Sequence, residues 1–314
     1  MAATAFDDVE SGSFYDDATA WAKDEGLTVG CNSPGGGVAG TLFCPGNAVT
    51  RAQNITFTYR HQTLVIDPLL DDIRGDVEAA DVPDRVLWVA DDGTGDFTSL
   101  SAALESIDDA SASNPYVVRV APGEYVETST VALKSYVDVE GSGEGVTTIT
   151  CECGGSFINA SSATVSAGDI VAEIRHLSIE NTGGGTYSTG IWTEDVVDGS
   201  VSMLHITATG TGTHNGYGVR NSSSSSPSMT DVIATGTGSA DGYGVYNFDS
   251  SPSMTDVIAT GTGTSADGFG VYNSWFSSPS MTNVTATGTG DDEGFGVYNS
   301  SSSPSIRASS LSGD

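Results

Sequence analysis

The motif Gly-aromatic-Gly-Val occurs at 216–219, 242–245, 268–271 and 294–297, a constant step of 26 residues. A second motif, Pro-Ser-Met-Thr, begins at Pro227, Pro252 and Pro279, and a degenerate copy begins at Pro304. A fixed period in the twenties makes each repeat one turn of a stacked structure. Equivalent residues then form columns along the stack, so function is to be sought in columns rather than in one contiguous motif.

The chain has 314 residues, 40 of them Gly, and its formal net charge is −31. That length allows two domains and a sizeable core. Only 10 residues are Lys or Arg, scattered from Lys23 to Arg307. Nucleic acid is excluded as a partner, because neutralising phosphates takes clustered cations. The acidity fits solubility, or else cation binding by acidic turns. No apolar run approaches the ~20 residues that span a bilayer. The opening Met-Ala-Ala-Thr-Ala-Phe is not a signal peptide, which leaves a cytoplasmic protein or an exported one numbered from its mature start.

Cysteine placement favours export. Cys31 and Cys44 flank a Gly-rich loop that can fold back and bring them together, and a disulfide there implies an oxidising compartment. Cys151 and Cys153, at i and i+2 of a strand, point to the same side; that suits two buried thiols better than a mutual bond.

Two helices are readable near the start, at 15–25 and 50–61. The second opens with Thr50 as N-cap and Gln53 reaching back, a capping box. Phe6-Asp-Asp-Val9, Ala20-Trp21, Gly26-Leu-Thr-Val-Gly-Cys31, Phe43-Cys-Pro45 and Val49-Thr-Arg-Ala-Gln53 together resemble one S-layer homology repeat. The resemblance implies an exported protein held at the cell envelope through cell-wall polysaccharide, with Thr50, Arg51 and Gln53 as the binding residues. An Arg at a helix N-terminus also suits an anionic sugar group on electrostatic grounds.

Residues 63–85 are acidic, carry Pro68 and Pro83, and read as a linker. Val86-Leu-Trp-Val-Ala-Asp-Asp-Gly-Thr-Gly-Asp-Phe follows, then a helical stretch over 101–107, then the strand-turn run Tyr116-Val-Val-Arg-Val-Ala-Pro-Gly-Glu-Tyr125. This stretch is similar to the opening of the pectinesterase and pectate-lyase superfamily, which implies a right-handed parallel β-helix. The domains expected are 1–62 (S-layer-homology-like), 63–85 (linker) and 86–314 (β-helix, 86–150 its capping opening and 151–314 its repeated turns). That family's catalytic Gln residues have no counterpart, since Gln53 and Gln62 both precede the helix. Arg175, near Glu173, His176 and Glu180, is the nearest approach to a catalytic group and reads as surface pairing.

In the repeats, Val245 inside sends Tyr246 out. The outward column is then Arg220, Tyr246, Tyr272 and Tyr298, a candidate sugar-binding strip with Trp275 on a nearby loop. Asn221, Asn247, Asn273 and Asn299 form a buried amide ladder at a turn, and Asp231, Asp256 and Asn283 mark another. Thr209, Thr211, Thr235, Thr237, Thr260, Thr262, Thr287 and Thr289 make an outward threonine face that resembles the arrays of ice-binding β-helices. Asp241, Asp267 and Asp292 stack as like charges that a cation would relieve. No cofactor is expected, calcium at these turns being the one ion the pattern admits.

These readings combine into a mainly β protein: a parallel β-helix of six to eight turns preceded by a small helical module. The expected role is an exported, cell-surface, non-catalytic scaffold, structural or carbohydrate-binding. Alternatives are a pectin-degrading esterase or lyase, which an acid cluster with a basic residue in one groove would revive, and an ice-binding adhesin. Cell-wall polysaccharide is the expected partner, together with another copy or protein covering the open C-terminal end.

Overall fold

The computed structural model describes residues 85–314 apart from Gly184, together with Ala22 and Lys23. Two units, Met1–Asp84 and Arg85–Asp314, divide the chain. The S-layer-homology-like module, its helices, the Cys31–Cys44 pair, Thr50, Arg51 and Gln53 lie outside the described residues, save that Ala22 and Lys23 are helical.

Residues 85–314 form a right-handed parallel β-helix of about seven turns. One sheet runs from strand Val86–Val89 through Tyr116–Val120, Val137–Glu140, Ala172–Asn181, Val201–Gly212 and Ser228–Gly238 to Ser305–Arg307. A second sheet stacks Val131–Ala132, Ala163–Ala167, Tyr187–Glu194, Asn215–Ser222, Gly242–Phe248, Gly268–Ser274 and Gly294–Ser300. The 26-residue step is the register itself: Gly216 pairs with Gly242, Gly242 with Gly268, and Gly268 with Gly294.

Side-chain size along one inward row explains the repeat. Met229, Val232 and Ala234 are fully buried, and Gly236 and Gly238 follow them. The row tapers because the two sheets converge towards this corner. A Cβ on Gly236 would lie 2.0 Å from the Tyr243 carbonyl oxygen. One on Gly244 would lie 2.5 Å from the Thr260 nitrogen. Backbone packs on backbone there, so glycine is required on both sheets. At the wide end Val118, Val139, Ile174, Met203, Met229, Met254 and Met281 continue one buried column through successive turns. Each such side chain contributes about 1.5–3 kcal/mol by burial.

The expected helix is present as Leu100–Ser106, with Leu100, Ala103 and Leu104 buried. Ser99 caps it by accepting the Ala102 N–H at 3.1 Å. Buried Glu127, from the strand Gly123–Glu127, accepts the Leu100 N–H at 2.7 Å and the Ser101 hydroxyl at 2.6 Å. A carboxylate at a helix start satisfies donors that have no partner within the helix.

The asparagine ladder is present. Asn221 donates to Asn247 at 2.8 Å, Asn247 to Asn273 at 2.8 Å, and Asn273 to Asn299 at 2.9 Å. Asp231, Asp256 and Asn283 mark the other turn, at φ of 50, 55 and 54°, a left-handed conformation that Asp and Asn tolerate best. One expectation is corrected. Cys151 and Cys153 are bonded to each other, their Cα atoms 5.1 Å apart. The strand Thr147–Cys151 ends at the first cysteine, so the chain bends and the strand alternation that argued for separate thiols no longer applies.

Candidate active site

The first turns of the longer sheet carry charge where later turns carry Ser, Thr and Leu. Strand alternation puts Asp138 and Glu140 on the outer face, flanking buried Val139. Glu173 and Arg175 do the same around buried Ile174 one turn later. Register then brings them together: Arg119 pairs with Glu140, and Glu140 with Arg175.

Arg175 is the hub. Its Nη1 binds the Glu173 carboxylate, its Nη2 lies 3.3 Å from Glu140 Oε2, and Nη1 is 3.9 Å from Asp138 Oδ2. Burial alone would lower the pKa of Arg175; the bonds from Glu173 and Glu140 outweigh it and leave it raised. Glu140 is shared, since Arg119 Nε is also 3.3 Å from Oε2. The three carboxylates therefore differ. Glu140 and Glu173 are held by guanidinium groups, whereas Asp138 accepts only the Glu173 backbone N–H on Oδ1, at 2.8 Å. Its Oδ2 stands beyond hydrogen-bond distance of Arg175, and its side chain is the most exposed of the three, at 39%. Of the three carboxylate oxygens that face Arg175, Asp138 Oδ2 is the one without a hydrogen bond.

A cleft of 260 Å³ opens beside the cluster, lined by Trp88, Arg119, Val120, Glu140, Gly141 and Ser142. Trp88 is half exposed, and the Arg119 guanidinium lies 5.6 Å from its ring centroid. An exposed indole supplies an apolar face for a sugar ring, and Arg119 a fork for a carboxylate or carbonyl oxygen. Of the neighbours named from sequence, Glu173 does bind Arg175. Glu180 pairs further along the strand, beside Thr150 and Thr209, and His176 stacks on His205 at 5.0 Å. Asp138 and Glu140 carry no local signal; only aligning Val137-Asp-Val-Glu140 with Ala172-Glu-Ile-Arg175 as successive turns would have found them.

The other predicted columns occupy their expected places, with different neighbours. Tyr246, Tyr272 and Tyr298 stack at 4.9 and 5.0 Å. Tyr217, Tyr243, Phe269 and Phe295 form a second ladder at 4.8, 5.0 and 5.3 Å. The ladders meet edge to face, as at Tyr243–Tyr272, 5.5 Å. Ring faces within the strip thus cover one another and leave edges outward, which removes the open faces that sugar stacking needs at Tyr246 and Tyr272. Trp275 is exposed and packs on Phe248 at 5.5 Å. Thr209, Thr235, Thr260 and Thr287 pair in one row and Thr211, Thr237, Thr262 and Thr289 in the next. The acidic column needs correction. Glu293, not Asp292, continues Asp241 and Asp267, because it precedes Gly294 as they precede Gly242 and Gly268. Asp241 accepts the Tyr243 hydroxyl at 3.0 Å, and among the described residues no group of three His, Cys, Asp or Glu could hold a metal.

Burial of the second ladder gives an alkaline signature. Desolvation pushes the Tyr217 hydroxyl up to about 12 from 10.0, against the opposing pull of Arg220. A raised folded-state pKa means that the stabilisation is complete below pH 10 and is lost as pH climbs towards 12. The urea midpoint is expected to fall through that window, and to fall less steeply in Tyr217→Phe.

Residues 86–212 match the family model described as pectinesterase. That span contains every residue of the acid–arginine cluster and its cleft. No curated protein sequence matches the chain. Similar solved structures include a pectin methylesterase from carrot, at 16% identity and TM-score 0.42, covering 63% of this chain and 62% of that one. One from Erwinia chrysanthemi has 11% identity and TM-score 0.45, covering 65% of each chain. One from Aspergillus niger has 14% identity and TM-score 0.46, covering 73% and 86%. The chain thus spans just under two thirds of the first two. The family match overturns the expectation of a non-catalytic scaffold and favours the esterase alternative. Among the described residues no helix is long and apolar enough to cross a membrane.

Proposed function

We propose that the solenoid is a carbohydrate esterase that removes methyl groups from an esterified acidic polysaccharide. The observation that carries this reading is the convergence of Asp138, Glu140 and Glu173 on Arg175 beside an open cleft, inside the span that matches the pectinesterase model. Trp88 supports a sugar ring, and Arg119 faces the ester carbonyl. Asp138 takes a proton from a water whose oxygen attacks the carbonyl carbon. Arg119 stabilises the oxyanion, a charge that is absent from the ground state. Collapse breaks the bond to the methoxy oxygen, which leaves as methanol with the proton from Asp138, and the carboxylic acid formed gives its remaining proton to solvent. The Glu173 backbone N–H holds Asp138 in place through Oδ1.

The substrate class is a polyuronate of the plant cell wall, and the site of action is extracellular. The S-layer-homology resemblance at Thr50, Arg51 and Gln53 supports a place at the cell envelope, as does the disulfide. The test is methanol release from methyl-esterified polygalacturonate by the full chain. Turnover above the spontaneous rate is expected. A folded wild-type protein that releases none would overturn the reading.

A further inference from the structure

On the outer face of the second sheet, register sets Trp192, Arg220, Tyr246, Tyr272 and Tyr298 in one column. Arg220 takes the place of a ring in that stack. Its guanidinium carbon lies 4.9 Å from the Trp192 centroid, 4.3 Å from Tyr246 and 5.4 Å from Tyr217. Only 9% of the residue is exposed. Yet in a chain with 41 acids, no carboxylate pairs with it among the described residues. Its Nε is sealed and unpartnered, and so is Nε1 of the adjoining Trp192. Neither terminal nitrogen has a partner among the described residues, and neither is sealed, so both reach the surface.

Cation–π contacts of about 0.5–2 kcal/mol each offset part of the cost of burying such a charge. They satisfy no N–H. The open edge of the guanidinium is a planar two-donor fork in a low-dielectric surround, which suits one carboxylate held bidentately. Trp192 and Tyr246 flank it along the column.

We infer that Arg220 is the anchor of a second, non-catalytic binding site that takes the carboxylate of an acidic saccharide. The carboxylate preference follows from Arg220 alone; the saccharide as its source rests on the esterase reading. De-esterified product and free stretches of polymer carry that group, whereas the esterified substrate lacks it. The site would then hold the protein on chain already processed.

Calorimetric titration of the full chain separates these statements. De-esterified trigalacturonate is expected to bind wild type at least tenfold more tightly than its trimethyl ester, and more tightly than inorganic sulfate. Arg220→Gln and Arg220→Lys are each expected to weaken it tenfold to hundredfold, the range for one charge-assisted pair, and to leave methanol release unchanged. Equal binding of acid and ester by wild type would overturn the inference even if both variants misfold. So would affinity kept in a folded Arg220→Gln but lost in Arg175→Gln, which moves the carboxylate to the acid–arginine cluster. Sulfate binding as tightly as the saccharide would overturn the saccharide assignment. Methanol release is scored separately, so a failed esterase reading is distinguishable from a failed anchor.

Discussion

Asp138→Asn is expected to lower methanol release by about 10²–10⁴-fold, the contribution of a positioned general base. The change removes one oxygen's charge and keeps the side chain's shape. The amide oxygen can still accept the Glu173 N–H that Oδ1 accepts now. Glu140 and Glu173 keep their contacts with Arg175, so the frame of the site stays assembled. The thermal midpoint should hardly move, because Asp138 is 39% exposed and its contact with Arg175 is 3.9 Å. A kinetic loss without a stability loss is therefore the signature. Full activity in the variant places the base elsewhere; parallel loss of activity and stability makes Asp138 a structural residue.

The largest expected loss of stability comes from a single methyl group far from that chemistry. Gly236→Ala puts a Cβ 2.0 Å from the Tyr243 carbonyl oxygen and 2.5 Å from that of Gly216. Both obstacles are backbone, each fixed in a sheet, so neither can swing aside as a flexible side chain would. The sheets must separate at this corner, and the asparagine ladder and aromatic columns beside it must shift with them. Overpacking of this kind costs about 3 kcal/mol, or ~6–12 °C in thermal midpoint for a unit of this size. Gly168→Ala is the control, with nothing within 4 Å of its added Cβ; its midpoint should stay within experimental scatter. Equal losses at the two positions would show that space at this corner does not set the glycine requirement.

The repeats were legible because a constant step fixes register, and register fixes every column. Asn221 to Asn299 could be placed from the 26-residue spacing, and the threonine rows from the recurring Ala-Thr-Gly-Thr-Gly, whose step varies from 25 to 27 residues. Two features escaped for physical reasons. The aromatic of Gly-aromatic-Gly-Val shares strand parity with the buried valine, yet the pairing passes over Gly218 and Gly244, the alternation breaks there, and the ring turns out to build a second ladder. The acid–arginine cluster lies in the first turns, where no repeat sets the step: Asp138 meets Glu173 across 35 residues, with no recurring motif between them. The acid–arginine cluster sits where periodicity is absent.

That separation makes length an independent variable of the molecule. Gly242 and Gly268 occupy the same register position, so excising residues 242–267 would join Asp241 to Gly268. Tyr217 would then face Phe269, Asn221 would face Asn273, and Arg220 would face Tyr272, each an acceptable neighbour of its own kind. Whole turns can be spliced in or out like segments of a telescoping rod. The rod changes reach in fixed increments while the end that carries the acid–arginine cluster stays untouched.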